Sequence, residues 1–522
     1  MMTTSAFDIL GPIMVGPSSS HTAGALRIAQ VARSLAPQMP AHVRFVLYES
    51  FARTGSGHGT DRALVAGMLG LATDDERVRD AFALADEAGL AFDVERGQDA
   101  SVTHPNTVDV QMEGDGWQTS VRGESLGGGR IRICRVNGVP VDLTGDYPTL
   151  FVEHRDKPGV LATLTALVSA AGTNIATMST FRSRRGGAAY SVFELDGEVE
   201  PWLVESLRHA ESVSFATSVH VPGAPIAAEA VALATPFSSG SELLAACAHK
   251  EASIAALMRQ REQELRPDED VDTLMEEVLA AMQHEVCDTI DNPRRSLGGL
   301  LDGQAHAVAA HADAFDGKLL GATLSTATAY AMAVLERSAN MGVIVAAPTA
   351  GSAGVVPGTL LAIANAAGMD DERVCAGLWT AAAVGALVAE NASVSGAEGG
   401  CQAEVGTAAA MAAAGLAELF GASPARCLDA AAITIANMLG LVCDPVRGLV
   451  EYPCQLRNAA GVANAVSAAQ LALSGVESPL PFDEVVEAMR QVGQALPAAL
   501  RETALGGLAA APSACSACAR CR

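Results

Sequence analysis

Thr149-Leu-Phe-Val-Glu-His154-Arg155-Asp156-Lys157-Pro158-Gly159-Val160 is the stretch that decides how the middle of this 522-residue chain folds. Residues 149–154 read as a strand, and the Arg155-Asp-Lys-Pro-Gly159 turn starts a helix over 160–171. Gly172-Thr-Asn174 ends that helix, because glycine takes the left-handed conformation a helix C-terminus needs. Strand 175–182 turns at Arg184-Arg-Gly-Gly187 into strand 188–195. A helix over 200–210 and a strand over 213–221 complete the order β-α-β-β-α-β, a ferredoxin-like arrangement.

Outward from this module the pattern changes twice. Residues 1–146 read as mixed α and β. A loop over 11–22 leads into a helix beginning near Ala23, followed by a strand at 43–48, a glycine-rich loop and a helix from Thr60. Later strands are expected at 107–112 and 130–136. Downstream, Pro222-Gly-Ala-Pro225 and Thr235-Pro-Phe-Ser-Ser-Gly240 mark a linker. From 241 to 499 the pattern is helical throughout. Ser241 is placed to cap the first helix, and Val271, Leu274, Met275, Val278 and Leu279 recur at helical spacing. The expected architecture is therefore multidomain. It has an α+β N-terminal domain (1–146), a ferredoxin-like middle domain (147–222), a linker (223–240) and an all-α C-terminal domain (241–522) ending in a Cys-rich tail.

Composition excludes several classes of function. A formal net charge of −25 argues against nucleic acid as a partner, since phosphate binding needs a basic surface. Apolar runs such as 378–387 are short and Ala-rich, and Asn391, Ser393, Glu398 and Glu404 interrupt them, where a membrane span needs roughly 20 apolar residues. No basic segment leads into an apolar signal core, so a cytoplasmic protein is expected. Eleven cysteines in such a chain are not expected to form structural disulfides. Cys134, Cys247, Cys287, Cys375 and Cys427 sit in apolar or mixed helical or strand contexts, and most of them read as buried small hydrophobes.

The remaining cysteines carry the chemistry. Gly-Gly-Cys401-Gln, Val-Cys443-Asp-Pro and Tyr-Pro-Cys454-Gln set three thiols on glycine- and proline-bent backbone. Three thiolates can hold three corners of an iron–sulfur cluster and leave one iron open, and an open iron is a Lewis acid. Spacing alone does not separate this from zinc, which would usually take a fourth ligand. Three histidines stand on polar bent loops: Gly16-Pro-Ser18-Ser19-Ser20-His21-Thr22, Thr54-Gly-Ser-Gly-His58-Gly-Thr60-Asp61 and His104-Pro105-Asn106-Thr107. Imidazoles suit acid–base work near neutral pH, and hydroxyls with free N–H groups at a helix start suit a carboxylate. Small polar clusters at Pro348-Thr349-Ala-Gly351-Ser352-Ala-Gly354 and Asn391-Ala-Ser393-Val-Ser395-Gly396-Ala-Glu398 break apolar runs. They mark either a helix–helix network or a ligand cavity, and the adjoining cysteine favours the cavity.

These motifs carry two resemblances. The Asp156-Lys157-Pro158-Gly159 turn with the following Val160-Leu161 resembles the opening of an ACT domain, a regulatory module. The resemblance implies an amino-acid or cation effector there. The serine–histidine loop, the second glycine–histidine loop, Ser393-Val-Ser-Gly-Ala-Glu398-Gly-Gly-Cys401-Gln, Cys443-Asp-Pro-Val-Arg-Gly and Pro453-Cys454-Gln-Leu-Arg-Asn458 together resemble the iron–sulfur L-serine dehydratases. The match covers nearly everything outside the middle module. It implies a [4Fe–4S] cluster on Cys401, Cys443 and Cys454, and conversion of L-serine to pyruvate and ammonia. A base removes the α-proton, the Lewis acid helps expel hydroxide, and aminoacrylate then hydrolyses. His21, His58 and His104 are candidates for the base and the hydroxyl-binding partner. Ser18, Ser19, Ser20 and Asn106 are candidates for the carboxylate and amine, while Arg447 and Arg457 could balance cluster charge.

Family members of the simpler kind end on a cysteine that caps the cluster. Here Cys515 stands at that position, but Ser516 to Arg522 follow it, with Cys518 and Cys521 among them, so its part as a fourth ligand is in doubt. Pyridoxal phosphate is not expected. The chain has only Lys157, Lys250 and Lys318, none beside a glycine-rich phosphate loop. A homodimer is expected because ACT modules commonly pair. Two other readings are a hydroxy-acid hydro-lyase using the same open iron, and an amino-acid sensor without catalysis.

Overall fold

Strands Val213–Val219, Thr149–Arg155, Ala188–Leu195 and Ile175–Arg182 lie side by side in that order, every neighbour antiparallel. Helices Val160–Ala170 and Pro201–Arg208 cover one face and bury Val160, Leu164, Val168, Leu203 and Leu207 against Leu150, Val152, Phe193 and Ala216. This is the expected ferredoxin-like module, and strands Ile175–Arg182 and Ala188–Leu195 keep their expected limits. The computed structural model describes residues 4–55, 57–145, 147–219, 233, 236–312 and 319–516. These fall into two compact units, one of residues 20–227 and the other of 1–19 with 228–522. Most of the linker, Lys318, Cys518, Cys521 and the side chain of Cys515 lie outside the described residues.

The first part of the 20–227 unit is a six-stranded sheet. Its order is Ala91–Arg96, His42–Leu47, Thr107–Gly114, Trp117–Gly127, Arg130–Val136 and Val139–Leu143. Only the first pair is parallel. Helices Ala25–Ser34 and Thr60–Leu69 cross closely. At Gly67 an added Cβ would stand 2.2 Å from the Leu26 carbonyl oxygen and 2.7 Å from the Ala29 Cβ, so only glycine permits the approach. The expected loop over 11–22 is not wholly irregular. Ile13–Val15 is a strand, and a π-helical turn over Ser19–Gly24 precedes the helix Ala25–Ser34.

The helical unit is built around Thr407–Leu419, a helix with every residue buried. Val355–Ala367, Asp371–Asn391, Pro424–Met438 and Cys454–Leu473 pack around it. Segments 350–367 and 371–391 are long and apolar enough to span a membrane, yet 72% of each is buried inside the protein, which makes them core helices. Two expectations are corrected here. The region is not helical throughout, because Val343–Val345 pairs antiparallel with Ile13–Val15. And Ser239, not Ser241, caps the helix Gly240–Lys250 by accepting from the Glu242 amide at 3.2 Å. The Ser241 hydroxyl instead donates to Asp483 at 2.6 Å, a tertiary partner that outcompetes the local one. Cys247 and Cys427 are buried as expected, and Cys134 and Cys375 partly so, but Cys287 is exposed.

The Gly67 contact sets a stability test. Gly67→Ala is expected to lower stability by about 1–3 kcal/mol through overpacking between the two helices. Thermal unfolding compared with Gly406→Ala, at a helical glycine whose added Cβ would meet its nearest neighbour at an ordinary 3.5 Å, checks it. Equal losses would place the cost in the backbone rather than in the crossing.

Candidate functional site

Three separate backbone devices deliver the three thiols. Cys401 follows Gly400, whose φ of 76° only glycine adopts readily, and an added Cβ there would meet the Leu496 side chain at 2.7 Å. Cys443 is held on a strand-like bridge. Its N–H donates to the Leu500 carbonyl at 2.9 Å and its carbonyl accepts from the Glu502 N–H at 2.8 Å. Cys454 opens the helix Cys454–Leu473, where free N–H groups and the helix dipole favour a thiolate. All three are buried, at 3, 4 and 9% exposure, and none is in a disulfide.

The three thiols lie within electrostatic reach of one another and of the Glu404 carboxyl, and Cys443 and Cys454 also feel the Glu502 carboxyl, which burial and Glu404 raise to about 8. Burial pushes the Cys401 thiol up to about 12, with Glu404 adding to the shift. Burial likewise holds Cys443 and Cys454 well above the usual thiol range, and each is raised further by its neighbours among Cys401, Cys454 and Glu404. The Glu404 carboxyl, itself raised by burial, accepts from the Cys443 thiol at 3.8 Å and from the Thr349 hydroxyl at 2.9 Å. A donor set this dry and this reluctant to ionise needs a strong positive charge to become thiolate. An iron–sulfur cluster supplies one and takes thiolates as its natural ligands. Among the described residues no three His, Cys, Asp or Glu side chains converge on a point where a single ion would sit. Cluster thiolates need not converge, since each binds its own iron. The residues fit a cluster better than a zinc ion.

A polar frame holds the thiols. Arg457 donates to the Val442 carbonyl and to Asp444, both at 2.7 Å, and feels Cys401 and Cys454. Asp444 also accepts from the Leu508 amide at 2.6 Å, which ties the C-terminal segment to the Cys443 loop. Asn458 donates to the carbonyls of Cys454 and Gly351, each at 2.9 Å, and accepts from the Gly354 amide at 3.2 Å. The cluster at 348–354 takes part in this hydrogen-bonded network. Arg447 differs from Arg457. It is exposed and reaches only the Gly298 carbonyl, at 3.3 Å. Cys515 falls in the short helix Pro512–Ser516, which packs near the turn Val446–Gly448.

In the 20–227 unit the histidine loops come together. The His21 and His58 rings meet edge to face, 4.5 Å between centroids, with Phe51 5.1 Å from His21. His21 and His58 are 4 and 1% exposed. Nδ1 of His21 shares a hydrogen bond with the Ser20 hydroxyl and Nε2 with the Ser50 hydroxyl, each at 3.0 Å. Ser50 connects to the third loop, its N–H donating to the Pro105 carbonyl at 2.9 Å. Ser125 closes the circuit by donating its hydroxyl to the Ser20 carbonyl at 2.8 Å and its N–H to the Asn106 carbonyl at 2.9 Å. His104 is half-buried, and its Nδ1 accepts from the Asn106 amide at 3.2 Å. Burial holds the His21 imidazole well below its usual range, with His58 adding to it, and burial lowers His104 as well. Ser18 and Ser19 fall in the other unit. Ser50, Ser125 and Glu404 are the residues that sequence reading passed over as site members.

Residues 249–509 match the family described as serine dehydratase alpha chain, 5–132 the serine dehydratase beta chain, and 148–211 the ACT domain. An L-serine dehydratase of Streptomyces coelicolor is 32% identical over 516 residues, 97% of this chain and 99% of that protein. L-serine dehydratase 2 of Escherichia coli is 31% identical over 533 residues, covering 98% of this chain and 99% of its own. A probable L-serine dehydratase alpha chain of Bacillus subtilis is 46% identical over 280 residues, 53% of this chain and 92% of that one.

The lowered His21 sets a pH test. An unfolded histidine takes up a proton near its ordinary pKa of about 6.5, whereas the buried ring resists it. Stability is therefore full above that pH and is lost as pH falls into the window below it. Hydrogen-exchange protection of amides 50–54 is expected to drop between pH 7.5 and 5.5. The drop should be smaller in His21→Gln, by up to about 1.4 kcal/mol per pH unit within the window. Parallel pH profiles in the two proteins would refute the assignment.

Proposed function

The chain belongs to the L-serine dehydratase family, and from that premise we propose that it is an ammonia-lyase converting L-serine to pyruvate and ammonia with a [4Fe–4S] cluster. The observation that carries the reading is the gathering of three buried, unpaired thiols around the Glu404 carboxyl. Cys401, Cys443 and Cys454 would hold the cluster, with Cys515 a tentative fourth ligand. When bound, such a cluster with an open iron supplies Lewis acidity toward the departing hydroxide. No pyridoxal phosphate is needed. Lys250 is engaged with Gln260 on an exposed helix face, and Lys157 lies exposed in the ACT-type turn.

The chain's own groups then handle the proton and the substrate's polar ends. His21 is the strongest candidate for the base that takes the α-proton. Its lowered pKa keeps it neutral at physiological pH, and the Ser20 and Ser50 hydroxyls fix its ring. His58 sits against it and discourages a resting positive charge. His104 remains a candidate for binding the substrate hydroxyl. Ser18, Ser19, Ser20 and Asn106 would hold the carboxylate and amine. The proposal takes 1–146, 147–222 and 241–522, joined by the linker 223–240, as its functional parts. It includes an amino-acid or cation effector at the ACT region, a homodimer and a cytoplasmic location.

The deciding experiment is anaerobic purification with iron, sulfide and pyruvate assays on L-serine, no pyridoxal phosphate added. Brown protein with about four iron and four sulfide per chain and activity that fades in air are expected. Cys443→Ala should lose both colour and turnover. Stable turnover by colourless, aerobically purified protein would sink the cluster. Turnover of a malate-like acid in place of L-serine would sink the substrate.

A further inference from the structure

A polar network centred on Arg122 lies beside the histidine loops of the 20–227 unit. Arg122 stands on the strand Trp117–Gly127 with its side chain 11% exposed. Its guanidinium grips the Asp109 carboxylate with two bonds side by side, Nε to Oδ1 at 2.6 Å and Nη2 to Oδ2 at 2.8 Å. Nη2 also reaches Asp99 at 2.9 Å, and the guanidinium carbon stands 5.2 Å from the centre of the Tyr48 ring. The Tyr48 hydroxyl donates to Asp109 at 2.8 Å. These partners are where the chain enters the site. Tyr48 precedes Glu49 and Ser50, and Ser50 is bonded to His21. Asp99 belongs to the loop 97–106, which ends in His104, Pro105 and Asn106. The Gly97 N–H fixes one end of that loop on the Leu47 carbonyl at 2.8 Å. At the other end the Thr107 hydroxyl donates to the His104 carbonyl at 2.7 Å, and the Thr107 carbonyl accepts from the Tyr48 N–H at 3.0 Å.

We propose that Arg122 is a positioning residue for the His21 site, its guanidinium fixing at once the Tyr48–Ser50 approach and the 97–106 loop. Its part in catalysis rests on the reading of His21 as the base; its part in the geometry does not. Only a planar fork suits the task. A lysine ammonium is a point charge, and it cannot bond both oxygens of Asp109 side by side, reach Asp99 and lie against the Tyr48 ring together. Without the fork, Asp99 and Asp109 are two like charges facing each other. Asp109 is held in a strand and its side chain is 13% exposed, whereas Asp99 is 33% exposed on the loop, so the loop is the part that gives way. Asp99 carries its loop with it, because it accepts from the Ser101 amide at 2.8 Å and the Ser101 hydroxyl at 2.7 Å. Ser50 reports the result directly. It stands in the first turn of the helix Glu49–Thr54, where an N–H has no partner within the helix. The Pro105 carbonyl takes that N–H at 2.9 Å, a contact that lasts only while the loop stays in place.

Amide exchange at Ser50 and C2–H exchange of the His21 and His104 imidazoles, both read by mass spectrometry on the full-length protein, test the assignment whether or not iron is bound. Arg122→Lys and Asp99→Ala are expected to speed Ser50 exchange about tenfold. Both should also bring the His21 and His104 titrations back toward the ordinary imidazole range as water enters. Arg44→Gln, which removes an exposed ion pair with Glu95 on the same sheet, should leave all three groups unchanged. A purely structural role would lower the melting temperature of Arg122→Lys and leave Ser50 and both imidazoles as they were; that result overturns the proposal. Asp99→Ala, a change on the loop alone, gives the answer if Arg122→Lys does not fold. Turnover of L-serine is measured on the same proteins. In Arg122→Lys, kcat is expected to fall at least about tenfold with KM changed less, because a reacting group is misplaced rather than lost. Faster Ser50 exchange and shifted imidazoles with unchanged kcat would keep the positioning role and reject His21 as the base.

Discussion

Removing three thiols and two carboxyl groups, Glu404 and Glu502, from water at one place is the constraint around which the helical unit is arranged. Each thiol is raised by burial and raised again by its acidic neighbours, and burial raises the Glu404 carboxyl against the lowering pull of the Thr349 and Cys443 hydrogen bonds. Without a compensating cation the groups can remain only as neutral acids. Arg457 is the nearest fixed positive charge, and Asp444 already claims part of it. The surrounding backbone is therefore tied down by many hydrogen bonds, so that the donor set is preorganised before any cation arrives. Thr349, Asn458, Leu500, Glu502 and Leu508 each contribute one or more of them.

The other unit solves a milder version of the same problem. Two imidazoles share a buried, partly aromatic enclosure, and burial, with His58 alongside, resists charging of His21. Serine hydroxyls adapt to whichever tautomer the ring adopts, because each can donate or accept. The loops bearing the rings are linked through Ser50 and Ser125, so the enclosure is rigid although little of it is regular secondary structure.

The ferredoxin-like module was legible because its signals are local. Turn glycines and strand residues stand next to one another in the chain, and strands 175–182 and 188–195 were readable to the residue. The strand Ile13–Val15 was not, because its partner lies at Val343–Val345 and no neighbouring residue announces the pairing. The cap was misplaced by two residues for a related reason, Asp483 being a tertiary competitor. At the site, the bent settings of Cys401, Cys443 and Cys454 were visible in their glycine and proline flanks. Glu404 went unremarked because its approach to Cys443 spans 39 residues of sequence. Arg447 and Arg457 look equivalent in sequence, yet only the second turns inward.

The two hydrogen bonds that clamp the Cys443 peptide to Leu500 and Glu502 bear on biosynthesis. Chains fold from the N-terminus as they leave the ribosome, and these partners emerge near the very end of translation. The Cys443 peptide must wait for that final segment before these two bonds can form. A message truncated shortly before codon 500 would yield a polypeptide that carries Cys401, Cys443 and Cys454 but neither hydrogen-bond partner of the Cys443 peptide.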